Sequence, residues 1–332
     1  MSIVPVCFVE RGGSPRLCSF DSLATTSASR CVLEYLNEGG ANFVYQILPW
    51  EEHELLPPRL QGKLLRVRKN LSHVQTAEEQ LEALDTNFRA LFPPDNLVHH
   101  ELIRLDHDVL DLLSKSLQHV VRPRHRSGDL LPVGDMSGLL VTDMTPITGE
   151  LLLQLKPKWL AQSPNAPPGS KRCRTCAVRS HRASQRIRTA TDAQESCPLD
   201  LLNINIEERK RAVHAITSDR RLQEYLFSEA QPLLHQLRSC QTVFDPYGIL
   251  RTSGADQVMS LCKAMTLRDC TLFLRRSGDS VEARLGDLDL KQPEKLARWK
   301  KVESDLINGG WYTNTEHSDH WVREKICLLS RT

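Results

Sequence analysis

The residues best suited to chemistry lie near the end of the chain. Arg268-Asp269-Cys270 and Gly286-Asp287-Leu288-Asp289-Leu290-Lys291 bring three carboxylates and a lysine into one stretch. Asp287 and Asp289 alternate, so on an extended strand they share one face. Carboxylates at a strand end can hold Mg2+ that is also bound to nucleotide phosphates. Asp269, at the expected start of the neighbouring strand, is placed to take the proton of an attacking hydroxyl. Lys291, Lys295 and Trp299 follow at four-residue steps, the spacing of one helix face. Any one of these aspartates alone reads more simply as a turn or cap residue. Together the set supplies a metal ligand, a base and an anion clamp.

Cations gather elsewhere. Leu153-Gln154-Leu155-Lys156-Pro157-Lys158 ends an apolar run with lysines at i and i+2. Extended, those two share a face and can clamp a polyanion. Pro157 lacks an amide, so it marks a strand edge or a strand end. Upstream, Asn37-Glu38-Gly39-Gly40-Ala41-Asn42 lies between two strand-like runs. Its glycines let the backbone approach a phosphate, although a Gly-Gly hairpin by itself is usually only a turn. Lys63, Arg66, Arg68 and Lys69 follow on the next strand. A lysine there can pair with nucleotide phosphates; the plainer reading is a solvated strand face.

Residues 171–188 carry seven Lys/Arg and no acid, so they face an anionic partner or solvent. No aromatic residue is interleaved, which removes the stacking platform that single-stranded nucleic acid needs. Arginine forks match a compact polyphosphate better. Within the block Cys173-x2-Cys176 is a lone pair, with His181 and Cys197 beyond it. One such pair is thin support for zinc. The flanking arginines oppose a cation, and two free thiols are the simpler reading.

These residues need elements to hold them. A chain of 332 residues has room for two domains. Its 43 basic and 41 acidic residues leave a net charge of +2, which argues against a strong nonspecific DNA binder. No apolar run approaches a membrane span, and the opening MSIVPVCFVERGGSPR does not read as a secretory signal. Ten cysteines without scaffold density read as reduced thiols in the nucleus or cytosol. Residues 1–30, rich in Ser, Thr, Pro and Gly, read as a loose arm. Strands are expected on both sides of the glycine turn within 31–50, over 62–69, 138–144 and 150–158, and as a hairpin over 269–277 and 280–290. Helices are expected over 76–92, 105–120, 207–217, 219–238, 255–266 and 293–309. That order suggests an α+β protein with two lobes and a boundary near 144–149, and ligand sites favour clefts between lobes.

The motifs, in this order, resemble those of the inositol-pentakisphosphate 2-kinase family. The family pattern runs G-E-G-G-A-N, G-K-x-x-R-I, a hinge like L-I-L-N-D, E-I-K-P-K, a basic R-F-x-M-H-Q region, P-L-D-L-F, K-D-C-S and D-L-x-L-K-P. Here the matching segments are Asn37 to Asn42, Gly62 to Val67, Leu139 to Asp143, Gln154 to Lys158, Arg172 to Arg179, Pro198 to Leu202, Arg268 to Thr271 and Asp287 to Pro293. The likeness spans about residues 34–309, and Arg172-Cys173-Arg174-Thr175-Cys176 is similar to the fungal branch.

The resemblance implies a two-lobed, distantly protein-kinase-like α+β fold. Residues 1–145 would be the N-terminal, nucleotide-binding lobe, and 146–332 the C-terminal lobe for inositol phosphate binding and catalysis. It implies an ATP-dependent kinase acting on the 2-hydroxyl of inositol 1,3,4,5,6-pentakisphosphate to give the hexakisphosphate, with Mg2+ as cofactor; a monomer is expected. By motif match, Gly39, Gly40, Asn42 and Lys63 would hold ATP phosphates, and Asp143 would lie on the adenine hinge. Asp287, with Asp289, would hold Mg2+; Asp269 would be the base, with Lys156 beside it in the catalytic set. Lys156, Lys158, Lys291, Lys295 and Trp299 would grip substrate phosphates, aided by Arg172, Arg179 and Arg182.

The chain also departs from the pattern. Gln154 stands where the family has an acid, Leu102 and Lys295 where it has arginines, and Trp299 where plant members have tyrosine. Either Arg104 or His100 replaces the family's arginine there, or that contact is lost. The plant zinc site has no matching His/Cys set in 239–255, so no structural zinc is expected. Two other functions remain open at this point: a non-catalytic inositol polyphosphate-binding module and a basic-loop RNA-binding protein.

Overall fold

The computed structural model describes residues 3–20, 28–185, 196–313 and 327–331. The chain divides into two compact units, Met1–Thr86 with Val98–Thr145, and Asn87–Leu97 with Pro146–Thr332. The fold is mixed α/β.

In the first unit seven strands close into a barrel in the order β1-β2-β6-β7-β5-β4-β3. They are β1 (Ile3–Arg11), β2 (Ser14–Cys18), β3 (Ser29–Glu38), β4 (Asn42–Pro49), β5 (Lys63–Arg68), β6 (His100–Leu105) and β7 (Ser137–Thr142). Only β2 and β6 pair in parallel. Side chains at every second position fill the core: Val4, Val6 and Phe8; Phe43, Tyr45 and Ile47; Leu65 and Val67. Helix α2 (His107–Leu117) lays Val109, Leu110, Leu113 and Leu117 on the same core, an i, i+4 and i+8 stripe. Helix α1 (Ala77–Asn87) begins with a reciprocal cap: the Thr76 amide donates to Glu79 Oε2 at 2.8 Å and the Glu79 amide to Thr76 Oγ1 at 3.2 Å.

The expected loose arm is a correction. Residues 3–18 form two barrel strands, because Val4, Val6 and Phe8 alternate into the core and Gly12-Gly13, at φ of 58° and 81°, make the reversal. Composition hid an alternation that was present. Strand β6 was also missed, its pattern interrupted by His100 and Arg104.

Barrel closure leaves no room beside Gly138. A methyl group there would stand 2.9 Å from Leu65 Cδ1, 3.1 Å from the Arg66 carbonyl oxygen and 3.4 Å from Leu105 Cδ1. Gly138→Ala is therefore expected to cost about 1–3 kcal/mol, read as a lower urea midpoint with an unchanged slope. A wild-type midpoint would refute this packing.

The second unit holds an antiparallel sheet of β8 (Glu150–Leu155), β9 (Thr271–Ser277) and β10 (Ser280–Gly286), with β9 central. Helices α3 (Arg174–Ser184), α4 (Ile206–Ile216), α5 (Arg220–Phe227), α6 (Gln231–Val243), α7 (Ala255–Leu267) and α8 (Leu296–Asn308) complete it. The single helix expected over 219–238 is two. Asp219 caps α5 by accepting from the Leu222 amide, and Pro232 falls in the first turn of α6, where its missing N–H costs nothing. Part of the basic block folds as α3. No helix among the described residues is long and apolar enough to cross a membrane.

Candidate active site

Sheet register assembles the site. Leu155 lies opposite Leu272, and Gly286 opposite Thr271. The end of β8, the start of β9 and the end of β10 therefore meet at one end of the sheet. The segments leaving that end carry Lys156, Lys158, Asp269, Asp287 and Lys291. Lys158 Nζ donates to Asp269 Oδ1 at 3.1 Å and Lys291 Nζ to Asp269 Oδ2 at 2.8 Å. Lys156 Nζ donates to the Asp269 main-chain oxygen at 2.9 Å and to Asp287 Oδ2 at 3.5 Å. The Thr271 hydroxyl donates to the same Asp287 oxygen.

Three ammonium groups thus converge on one aspartate. Burial works to raise the proton affinity of Asp269. The hydrogen bond and charge of Lys291, joined by those of Lys158, outweigh it and hold the carboxyl at about 2. Burial lowers Lys295, and the charge of Lys291 lowers it further. The five side chains at the sheet end are between 25% and 52% exposed, open enough for a ligand to reach.

The backbone reaches this arrangement by leaving the strands. Lys158 (φ 58°) and Asp287 (φ 56°) are the two non-glycine residues with positive φ among the described residues. Such backbone is costly and clusters at functional sites. It corrects two expectations. Lys156 and Lys158 do not share a strand face, because β8 ends at Leu155. Asp287 and Asp289 do not alternate on a strand, because β10 ends at Gly286. Lys291 also precedes the helical segment, which begins as a 3-10 turn over Pro293–Lys295 and continues as α8, so Lys291, Lys295 and Trp299 do not line one continuous helix face.

Buried side chains behind the sheet end hold it in place, and sequence reading missed them. Gln241 accepts from the Leu160 amide at 3.0 Å and donates to the carbonyls of Lys158 at 2.8 Å and Leu267 at 3.2 Å, tying both lysine and aspartate segments to α6. Arg268 bonds Asp245 at 2.7 Å and lies over the Trp159 ring at 3.5 Å. Thr266 Oγ1 accepts from the Lys291 amide at 3.0 Å. A buried glutamine in the last turn of a helix carries no spacing signal, so nothing in the sequence marks it.

The residues matched to nucleotide binding belong to the first unit. The Gly39 amide donates to the Asn42 carbonyl at 2.8 Å and closes the glycine turn, with Gly40 at its tip. Behind the turn Glu38 is buried: Lys69 Nζ lies 2.5 Å and Arg122 Nε 2.7 Å from its carboxylate, and Arg126 donates to its carbonyl at 2.5 Å. Lys69 is fully buried and also pairs with Asp129 at 2.6 Å, so its expected place on an open strand face is wrong. Arg68 pairs with Asp135, and Arg66 contacts His100. Lys63 opens β5 opposite Thr142; next to it the Asp143 amide donates to the Gly62 carbonyl at 2.8 Å. Arg104 bonds Glu78 and Ser137, each at 3.0 Å.

Three arginines of the basic block, Arg172, Arg174 and Arg179, are anchored, and residues 186–188 lie outside the described residues. Arg172 donates to the Trp311 carbonyl at 3.2 Å, and Arg179 to that of Ser196 at 2.8 Å. Arg174 is buried against Glu303 at 2.6 Å, and Arg182 is exposed. Trp299 packs with Trp159, Ile249 and Leu261. The reading of Cys173-x2-Cys176 as a lone pair of thiols fails: Cys197 and Cys327 join it, and the four sulfurs lie within 4.8 Å of one another. The fourth is remote in sequence, which is why spacing did not reveal it.

Comparison with known proteins agrees with the ordered motifs. The inositol-pentakisphosphate 2-kinase family model matches residues 35–305. The chain is 32% identical over 302 residues to the inositol-pentakisphosphate 2-kinase of Yarrowia lipolytica, covering 83% of this chain and 91% of that protein. The chain belongs to the inositol-pentakisphosphate 2-kinase family.

Proposed function

We propose that this chain transfers the γ-phosphate of ATP to the 2-hydroxyl of inositol 1,3,4,5,6-pentakisphosphate, giving the hexakisphosphate. The observation that carries the reading is the convergence of Lys156, Lys158 and Lys291 on Asp269 at one end of the sheet. A pentakisphosphate brings up to about ten negative charges. An ammonium–phosphate charge pair at 4 Å gains about 4 kcal/mol before desolvation at an effective dielectric constant near 20. Without substrate, the lysines neutralise Asp269. Substrate phosphates draw Lys158 and Lys291 away and bring their own negative charge, so the carboxylate regains proton affinity and a free oxygen as the hydroxyl arrives. Asp269 then orients that hydroxyl and accepts its proton, while Lys156 balances charge between Asp269 and Asp287.

In the same reading the two units are lobes of a distantly protein-kinase-like fold divided near residue 145. Gly39, Gly40, Asn42, Lys63 and Asp143 of the first serve ATP. Asp287 suits Mg2+: it is a half-exposed hard-oxygen donor, oriented by Thr271. Asp289, two residues on, would add a further oxygen ligand. When bound, Mg2+ neutralises charge on the transferring phosphates. Lys295, Arg182 and Trp299 line the substrate side. The protein works as a monomer in the nucleus or cytosol, without nucleic acid.

The test is turnover of the pentakisphosphate with Mg-ATP, with products resolved by anion-exchange chromatography. A hexakisphosphate peak carrying the new phosphate at position 2 is expected. A raised Tm with pentakisphosphate but no product would replace the enzyme with a binding module. RNA binding with neither effect would overturn both.

A further inference from the structure

Four cysteines from three separate stretches meet in the second unit, away from the lysines and aspartates of the sheet end in sequence. Cys173 caps α3 and Cys176 lies in its first turn; Cys197 precedes the 3-10 turn Pro198–Leu202, and Cys327 precedes Leu328–Ser330. Cys197 Sγ is 3.7 Å from Cys173 Sγ and 3.7 Å from Cys327 Sγ. A disulfide would draw two sulfurs to about 2.05 Å. Four thiolates around one ion at a Zn–S distance of about 2.3 Å stand about 3.8 Å apart along the edges of a tetrahedron. A cluster of several irons holds its cysteine sulfurs farther apart, so this spacing suits a single ion.

The surroundings suit the same occupant. Cys173, Cys197 and Cys327 are buried and Cys176 is half-buried, so water competes poorly for the fourth position. The Cys173 amide donates to Cys327 Sγ at 3.1 Å, a bond that a thiolate accepts well. Four thiolates on one divalent ion leave two excess negative charges. Helix α3, of 11 residues, begins at the cluster and brings the positive end of its dipole. Arg172, directly before Cys173, is half-buried and tied to the Trp311 carbonyl at 3.2 Å. A guanidinium beside the cluster counts against a bare cation and favours a dianionic centre.

We propose that Cys173, Cys176, Cys197 and Cys327 bind one zinc ion as a closed structural tetrathiolate site. Four thiols lose their protons to solvent as the four sulfur–zinc bonds form, and no electrons are exchanged. The centre ties the start of α3 to residues 196–202 and to 327–331. It thereby fixes the helix that carries Arg179 and Arg182. It stands independently of the kinase reading, since metal content is read without turnover.

Elemental analysis of the full chain, purified without added metal, tests this. One zinc per chain is expected. Exchange with Co2+ is expected to give the intense visible bands of tetrahedral cobalt and the near-ultraviolet charge-transfer bands of cobalt–thiolate bonds. Cys327→Ser and Cys197→Ser are expected to lose the metal and these bands, whereas Cys240→Ser, outside the cluster, keeps both. A metal-free chain that takes up no cobalt overturns the site. Iron in place of zinc overturns the assignment of the ion, and a cobalt spectrum unchanged in Cys327→Ser overturns the ligand set. The wild-type analysis and spectrum decide the matter even where a serine variant does not fold.

Discussion

Asp269→Asn is expected to lower kcat by about 10²–10⁴-fold, the usual worth of a positioned proton acceptor. Affinity for the pentakisphosphate is expected to stay the same or to rise. The carboxylate that Lys158 and Lys291 hold in the free protein is gone in the variant, so both ammonium groups meet the phosphates without first giving up a partner. This split separates a catalytic residue from a structural one, because a variant that merely misfolds loses binding as well. Calorimetric titration beside steady-state kinetics reads both quantities. Wild-type kcat in the variant would remove Asp269 from the reaction. Loss of binding with loss of rate would make it a part of the lysine scaffold only.

Glu38→Gln is expected to cost about 3–5 kcal/mol of unfolding free energy, the range for removing one partner of a buried ion pair. Its carboxylate is shielded from solvent behind the glycine turn and meets Lys69 and Arg122 there. Both cations also lie over the Phe43 ring, at 5.1 and 5.0 Å. The amide leaves Lys69 with Asp129 and leaves Arg122 without an anion on its short contact. Burial pushes Glu38 up, but the hydrogen bonds and charges of Arg122 and Lys69 prevail and hold it at about 2 against an ordinary 4.5. A depressed carboxyl gives stability that is complete above pH 4.5 and lost as the pH falls towards 2. The wild type is therefore expected to lose stability across that window through a group that Glu38→Gln lacks. Denaturant unfolding at several pH values checks both points. A variant with the wild-type midpoint at neutral pH would show that the cluster is solvated and of little worth.

The parts of this molecule legible in sequence are those with local signals. The strand–turn–strand around Gly39 and Gly40, the stripe of α2 and the β9–β10 hairpin follow from period and turn chemistry, and each formed, although β10 stops at Gly286, short of the expected residue 290. The family was legible because its motifs keep their order along most of the chain. What local pattern could not carry was tertiary closure. The first two strands look like a tail until the barrel gives Val4, Val6 and Phe8 a core to enter. Lys69 looks like one more surface cation until Glu38 appears beneath it. Lys158 and Asp287 look like strand residues until the backbone turns to positive φ and aims them at one point. Cys327 lies far along the chain from the Cys-x2-Cys pair, and only the fold joins them.

In the proposed mechanism substrate phosphates take the lysines that hold Asp269 and so restore its proton affinity. The decisive measurement is a carbon-13 NMR titration of the Asp269 carboxyl, with and without saturating pentakisphosphate. In the free protein the carboxyl is expected to stay ionised down to about pH 2, held there by Lys291 and Lys158 against the pull of burial. With pentakisphosphate bound, its midpoint is expected to rise to the ordinary 3.8 or above, so that partial protonation becomes visible near pH 4 to about 5. An unchanged titration in the bound protein would mean that the phosphates do not engage these lysines, and would contradict the site described.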